Sequence, residues 1–94
     1  MANAMMATGK IIGTGADITV DGDKCGFRPK FIQFYNKTQD ELGTWFDDFA
    51  DGEIQTDSGF LTANGVTPAD QGFTLGACAF NVADDEIFYV AFGV

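Results

Sequence analysis

The sequence predicts an all-β fold, a small antiparallel β-sandwich or jelly roll with a short N-terminal arm, and three observations carry that prediction. Glycine-phenylalanine pairs at Gly26-Phe27, Gly59-Phe60 and Gly72-Phe73 each open an apolar run. Glycine permits the positive-φ or tight-turn backbone at a strand start, and the phenylalanine after it is placed to enter a core. Short alternating runs recur at a spacing of about 8–12 residues with Gly, Asn, Asp or Pro between them, the pattern of a β-sandwich. Helical periodicity is confined to a single turn's worth of chain at Thr38 to Leu42.

In chain order, residues 1–9 carry small side chains and three methionines with no period, which predicts a flexible arm ahead of a single domain over residues 10–94. Strand signals begin at Lys10 to Ile12 and continue at Asp17 to Val20, before the turn Asp21-Gly22-Asp23. From Phe27 to Lys37 a strand is expected with Pro29 near its start, where a missing N–H does least harm. Phe31, Gln33 and Tyr35 then share one face, and Ile32, Phe34 and Asn36 the other. Leu42 to Ala50 reads as a strand running into a turn at Asp51-Gly52. Glu53 to Thr56, Gly59 to Ala63 and Gly72 to Leu75 are short strands, with turns at Asn64-Gly65 and Thr67-Pro68. Ala77 to Val82 and Glu86 to Val94 read as a hairpin around Ala83-Asp84-Asp85. Phe88, Val90, Phe92 and Val94 share one face of that last strand, and Ile87, Tyr89 and Ala91 the other. A strand apolar on both faces is central or lies in a subunit contact.

Ten phenylalanines in 94 residues are more than a thin sandwich readily hides, since each buried aromatic removes roughly 150–250 Å² from water. The net charge of −9 is divided unevenly: residues 1–37 carry +2, and the rest carries eleven acids and no base. Such a chain either presents a basic side to an acidic partner or pairs its cations with its own acids within the fold. Nucleic acid is not an expected partner, because phosphate binding needs clustered Lys and Arg. Membrane association is not expected either: no stretch approaches the ~20 apolar residues of a spanning helix, and Met1 to Met6 lack the basic region of a secretory signal. Cys25 and Cys78 either pair across the sandwich or remain reduced and buried.

The sequence contains no histidine, the commonest general base at neutral pH and the usual partner in Ser and Cys triads. Gly9-Lys10 is followed by Ile11 where a phosphate-binding loop needs Ser or Thr. Acids cluster at Asp21/Asp23, Asp47/Asp48/Asp51 and Asp84/Asp85/Glu86, where calcium binding competes with the commoner role of satisfying turn amides. No catalytic residue, cofactor or metal site is therefore expected. Tyr35 and Trp45 form either a stacking surface for a sugar or part of the core, and Asn36-Lys37-Thr38 matches the N-glycosylation pattern.

One order of motifs spans Lys10 to Gly93. Gly26-Phe27-Arg28-Pro29-Lys30-Phe31-Ile32 is followed by Trp45-Phe46-Asp47, then Gly72-Phe73-Thr74-Leu75-Gly76, Asn81-Val82 and Phe88-Tyr89-Val90-Ala91-Phe92-Gly93. This order resembles the small β modules in virion proteins of tailed bacteriophages, which occur as capsid decoration proteins and as domains of head or tail fibres. The resemblance implies a virion location on the capsid surface and a homo-oligomer, with a trimer favoured. A single module without a fibre repeat points to a decoration (cement) protein bound to the major capsid protein. The alternative is a receptor- or carbohydrate-binding module of a fibre, using Tyr35 and Trp45. In the decoration reading, Met5, Met6, Lys10, Lys24, Arg28 and Lys30 face the shell. Phe73, Phe88, Tyr89 and Phe92 belong to the core or to a subunit interface.

Overall fold

A computed structural model describes residues 5–93. Its eight strands are β1 (Met5–Ile12), β2 (Ile18–Val20), β3 (Phe31–Asn36), β4 (Glu41–Phe46), β5 (Glu53–Thr56), β6 (Gly59–Ala69), β7 (Gly72–Leu75) and β8 (Glu86–Gly93). Every pairing is antiparallel, and the order across the sheet is β1-β8-β3-β4-β5-β6-β7-β2. Strands β3 to β7 thus follow one another as a meander. β8 returns to the outer side of β3, and β1 and β2 complete the two edges. The expected all-β antiparallel domain is what the chain forms, with its two layers joined as one curled sheet.

Closure of the curl is marked by aromatic contacts between strands remote in the order. Phe73 on β7 meets Phe34 on β3 edge-on at 5.6 Å and Tyr89 on β8 at 5.5 Å. Around them Ile32, Trp45, Ile54, Val66, Leu75, Phe80 and Ile87 are completely or almost completely buried. Burial of each such side chain contributes roughly 1.5–3 kcal/mol, which drives the sheet to curl rather than lie flat. β3 alternates as its sequence predicts, with Ile32, Phe34 and Asn36 inward and Gln33 and Tyr35 outward.

The Gly-Phe pairs divide into two kinds. Gly26 takes a φ of 86° and Phe27 after it is buried, while Gly72 is required by close approach: a Cβ there would lie 1.8 Å from the Val20 carbonyl oxygen of β2. Gly59 also has a positive φ, but Phe60 points outward and is exposed. In the β5–β6 hairpin the next residue, Leu61, turns to the core instead.

Four local expectations are corrected. The arm expected over residues 1–9 is strand from Met5 on: Met5 to Ile12 pair with Gly93 to Glu86, because a second apolar edge is available beside β8. Residues 1–4 lie outside the described residues. Asn64-Gly65 and Thr67-Pro68 are not turns but lie within β6, where the register against β5 shifts between Leu61 and Val66 and residues 62–65 form a bulge. Asn64 supplies the positive φ of 60° that this bulge needs. Ala77 to Val82 is an irregular loop rather than a hairpin strand. Its Phe80 ring packs over Gly43 and its backbone is held by side-chain amides. Leu42 to Ala50 ends as strand at Phe46, and Phe49 sits in the following turn.

Trp45 takes the second of its two expected roles, part of the core, and this has a functional consequence. It is completely buried on the inner face of β4, so it offers no stacking platform to a sugar. Its indole Nε1 is buried without a hydrogen-bond partner. An unsatisfied buried donor costs about 1–3 kcal/mol. Trp45→Phe is therefore expected to cost less than the ~3–5 kcal/mol of a large-to-alanine change in a core, because loss of the orphan donor offsets part of the cavity. Chemical denaturation of Trp45→Phe and Trp45→Ala side by side checks this. Equal losses in the two variants would contradict it.

Candidate functional site

The outer face of the sheet is built by alternation. On β8, Ile87, Tyr89 and Ala91 are buried while Phe88 and Phe92 are exposed and Val90 half-exposed. Register then aligns these residues with outward residues of their neighbours. Across the first row, Met6 of β1, Phe92, Phe31 of β3 and Phe46 of β4 are successive partners. Their rings continue to Phe49 in the β4–β5 turn and Phe60 on β6, with centroid separations of 6.0, 5.1, 5.6 and 5.3 Å from Phe92 to Phe60. Across a second row, Thr8, Val90, Gln33, Thr44 and Gln55 form a mostly polar furrow. Across a third, Lys10, Phe88, Tyr35 and Leu42 are partners.

Two apolar ridges flanking a furrow therefore cross the sheet at right angles to its strands. Tyr35, Leu42, Phe46, Phe60, Phe88 and Phe92 are each 36–46% exposed, and Met6 is 63% exposed. Taking roughly 150–250 Å² for a whole aromatic side chain, these residues with Ile12 leave an apolar patch of roughly 600 Å² in water. That is at the upper end of what a monomer ordinarily carries, and it lies on one face. Beside the third row a shallow depression of about 260 Å³ is walled by Gln33, Tyr35, Leu42, Phe88 and Val90.

Charges frame this face without crossing it. Lys10 pairs with Glu86 at 3.1 Å near one end of β8, and Lys30 pairs with Asp47 at 3.3 Å near the other. The hydrogen bond and positive charge of Lys10 hold the Glu86 carboxyl below its ordinary pKa. The Tyr35 hydroxyl donates to Asp40 at 2.7 Å, and that bond raises its pKa. Arg28 reaches Asp70 in the β6–β7 turn at 3.6 Å. Lys24 is in the β2–β3 loop, where its carbonyl accepts from the Tyr89 hydroxyl at 3.0 Å. Three of the cations from the first 37 residues are thus paired with acids of the remainder, and the charge division along the sequence is partly cancelled in space.

Of the residues singled out from sequence, Phe88, Phe92, Tyr35, Met6 and Lys10 come together on the outer face, with Lys30 at its rim. Met5, next along the same edge strand, has the parity of the opposite face, and Arg28 and Lys24 stand apart. Phe73 and Tyr89 are core. Phe31, Leu42, Phe46, Phe49 and Phe60 complete the ridges and were not singled out. Their signal was present in the alternation of each strand, but their union depends on register.

Other polar groups serve the fold. Asn36 is fully buried and its Nδ2 donates to the Phe80 carbonyl at 2.8 Å and to Asp85 at 2.9 Å, so its match to the glycosylation pattern has no accessible amide. Gln39 adds a bond to the same Asp85 oxygen at 2.6 Å. Glu41 accepts from the Ser58 hydroxyl at 2.6 Å. Cys25 and Cys78 are free thiols, and burial pushes the Cys78 thiol pKa up. Among the described residues no three His, Cys, Asp or Glu side chains gather as a metal-binding group, and no helix is long and apolar enough to cross a membrane.

The fold and this face together define an all-β domain with an exposed aromatic sheet surface. Comparison with protein-family models, with curated proteins and with solved structures finds no match to the chain.

Proposed function

We propose that the chain is a non-enzymatic structural subunit of a virion, a decoration (cement) protein that binds the outer surface of the major capsid protein as a homo-oligomer and stabilises the shell. The observation that carries the assembly part of this reading is the roughly 600 Å² aromatic face, which a solitary domain would leave in water at a cost in solubility. The virion context comes from the order of motifs that resembles phage β modules. Shell contact falls to the surface beside the edge strand β1, with Met5, and to Lys24 and Arg28. A cement protein works by adding buried area across joints between capsomers, and an oligomer gains avidity from linked contacts.

Titration of purified shells with the full chain tests the proposal. Saturable binding and a raised temperature of shell disruption are expected, with weaker binding by Lys24→Glu/Arg28→Glu. A protein that neither binds shells nor changes their heat resistance is not a decoration protein. One observation favours a second reading, a receptor- or carbohydrate-binding module: the depression beside Tyr35 joins an aromatic ring to the polar Gln33. This reading requires glycan binding that Tyr35→Ala removes, and binding unaffected by that change would dismiss it.

A further inference from the structure

We infer that the outer aromatic face is covered by a second copy of this chain, in a two-fold interface whose axis passes near Gln33. This rests on the assembly reading above and deepens it, with two copies in place of the trimer that the resemblance favours. Area is the first argument. A stable interface of ordinary size takes about 800 Å² from each partner, and the apolar ridges with the furrow of Thr8, Gln33, Thr44 and Gln55 supply a surface of that order. A partner offering less apolar area would leave part of the ridges wet.

Charge is the second argument. Two copies of a chain of net charge −9 repel over most of their surfaces. The aromatic face carries less of this charge: its cations Lys10 and Lys30 are matched by Glu86 and Asp47 at opposite ends of β8, and Asp40, bonded to the Tyr35 hydroxyl, stands at its rim. A second copy can approach there with fewer like charges opposed than elsewhere. The third argument is shape. A two-fold axis through the furrow sets the furrow of one copy against that of the other and apolar ridge against apolar ridge, so that each kind of surface meets its own kind. Twisted sheets stack in this way about 10 Å apart with strands near 30°. The contact is isologous and closes at two copies.

Sedimentation of the full chain at micromolar concentration tests the inference. A dimer is expected, and it should tighten from low to physiological ionic strength, since salt screens the repulsion between acidic copies while the apolar contact is unaffected. Phe46→Thr/Phe92→Thr, a change of exposed residues only, should weaken association at least about tenfold with denaturation little altered. Gln33→Cys provides a variant that leaves the ridges intact, and a bis-maleimide reagent that spans about 10 Å between facing sheets should give a covalent dimer above the background of wild type. A monomer at every salt concentration, a trimer, or a dimer unchanged by the paired substitution would overturn the inference, as would the absence of any covalent dimer in Gln33→Cys. If the protein is a monomer whose shell binding is lost in Phe46→Thr/Phe92→Thr, the face belongs to the shell and only this inference fails. If it dimerises as described but ignores shells, the virion reading fails and the interface stands.

Discussion

Phe73→Ala is expected to lower the free energy of unfolding by about 3–5 kcal/mol, the range for truncating a large aromatic in a close-packed core. Phe73 is 1% exposed and lies on β7, three strands from β4 and on the far side of the curl from β8. Its ring meets Phe34 at an interplanar angle of 78° and Tyr89 at 83°, so a single side chain makes edge-to-face contacts with both β3 and β8. Such contacts add about 0.5–1.5 kcal/mol each beyond simple burial. Truncation opens a cavity between the layers and also loosens the β2–β7 pairing, in which Phe73 faces Val20. Domains of this size hold only about 5–15 kcal/mol in all, so the variant should be partly unfolded at moderate temperature. Phe60→Ala is the comparison, because Phe60 also follows a glycine but points into solvent. Its cost to the isolated domain should stay near or below about 1 kcal/mol. Urea denaturation of the two variants checks this, and similar midpoints would mean that the layers are not joined through Phe73.

Alternation of side chains carries more of this fold than composition does. Phe31 to Asn36 and Glu86 to Gly93 show by period alone which residues face inward, and the two apolar faces of β8 correctly mark a central strand. β4 is less transparent. Glu41, Gly43 and Trp45 face the core while Leu42 and Phe46 face out, a choice fixed by pairing with β3 and by the Ser58 hydroxyl that donates to Glu41. Apolar runs without a partner strand mislead in the same way. Ala77 to Val82 has the content of a strand, yet Asn36 and Gln39 satisfy its carbonyls in place of a ladder. The aromatic face was legible only in pieces, since each strand contributes one or two residues. Which of them touch is decided by the antiparallel registers, and no local pattern encodes those. The same limit hid the ion pairs: Lys10 and Glu86 are far apart in sequence and meet because β1 lies along β8.

Asn81→Ala should be the most damaging polar substitution, with a loss of roughly 3 kcal/mol or more from several buried groups left unpaired. Asn81 is 1% exposed in the loop before β8, and its Oδ1 accepts from the Thr14 backbone N–H at 3.0 Å. Its Nδ2 donates to the carbonyls of Ala16 at 2.7 Å and Gly76 at 3.0 Å. One amide thereby ties the β1–β2 loop to the irregular segment that follows β7. Asn81→Asp separates this role from mere space filling. The aspartate retains an acceptor for Thr14 but turns a second oxygen toward two carbonyl oxygens. Its protonated form can still donate to one of them, whereas the ionised form repels both. The folded-state pKa of the new carboxyl is therefore raised above its unfolded value. Its favourable contribution is fully present below the unfolded pKa and is lost as pH rises through the folded one. Asn81→Asp should be closest to wild type in acid and fall behind it toward neutrality, while the deficit of Asn81→Ala stays constant. Denaturation midpoints across this pH range decide the matter. A flat difference between the two variants would mean that the amide hydrogens of Asn81 do not hold these loops together.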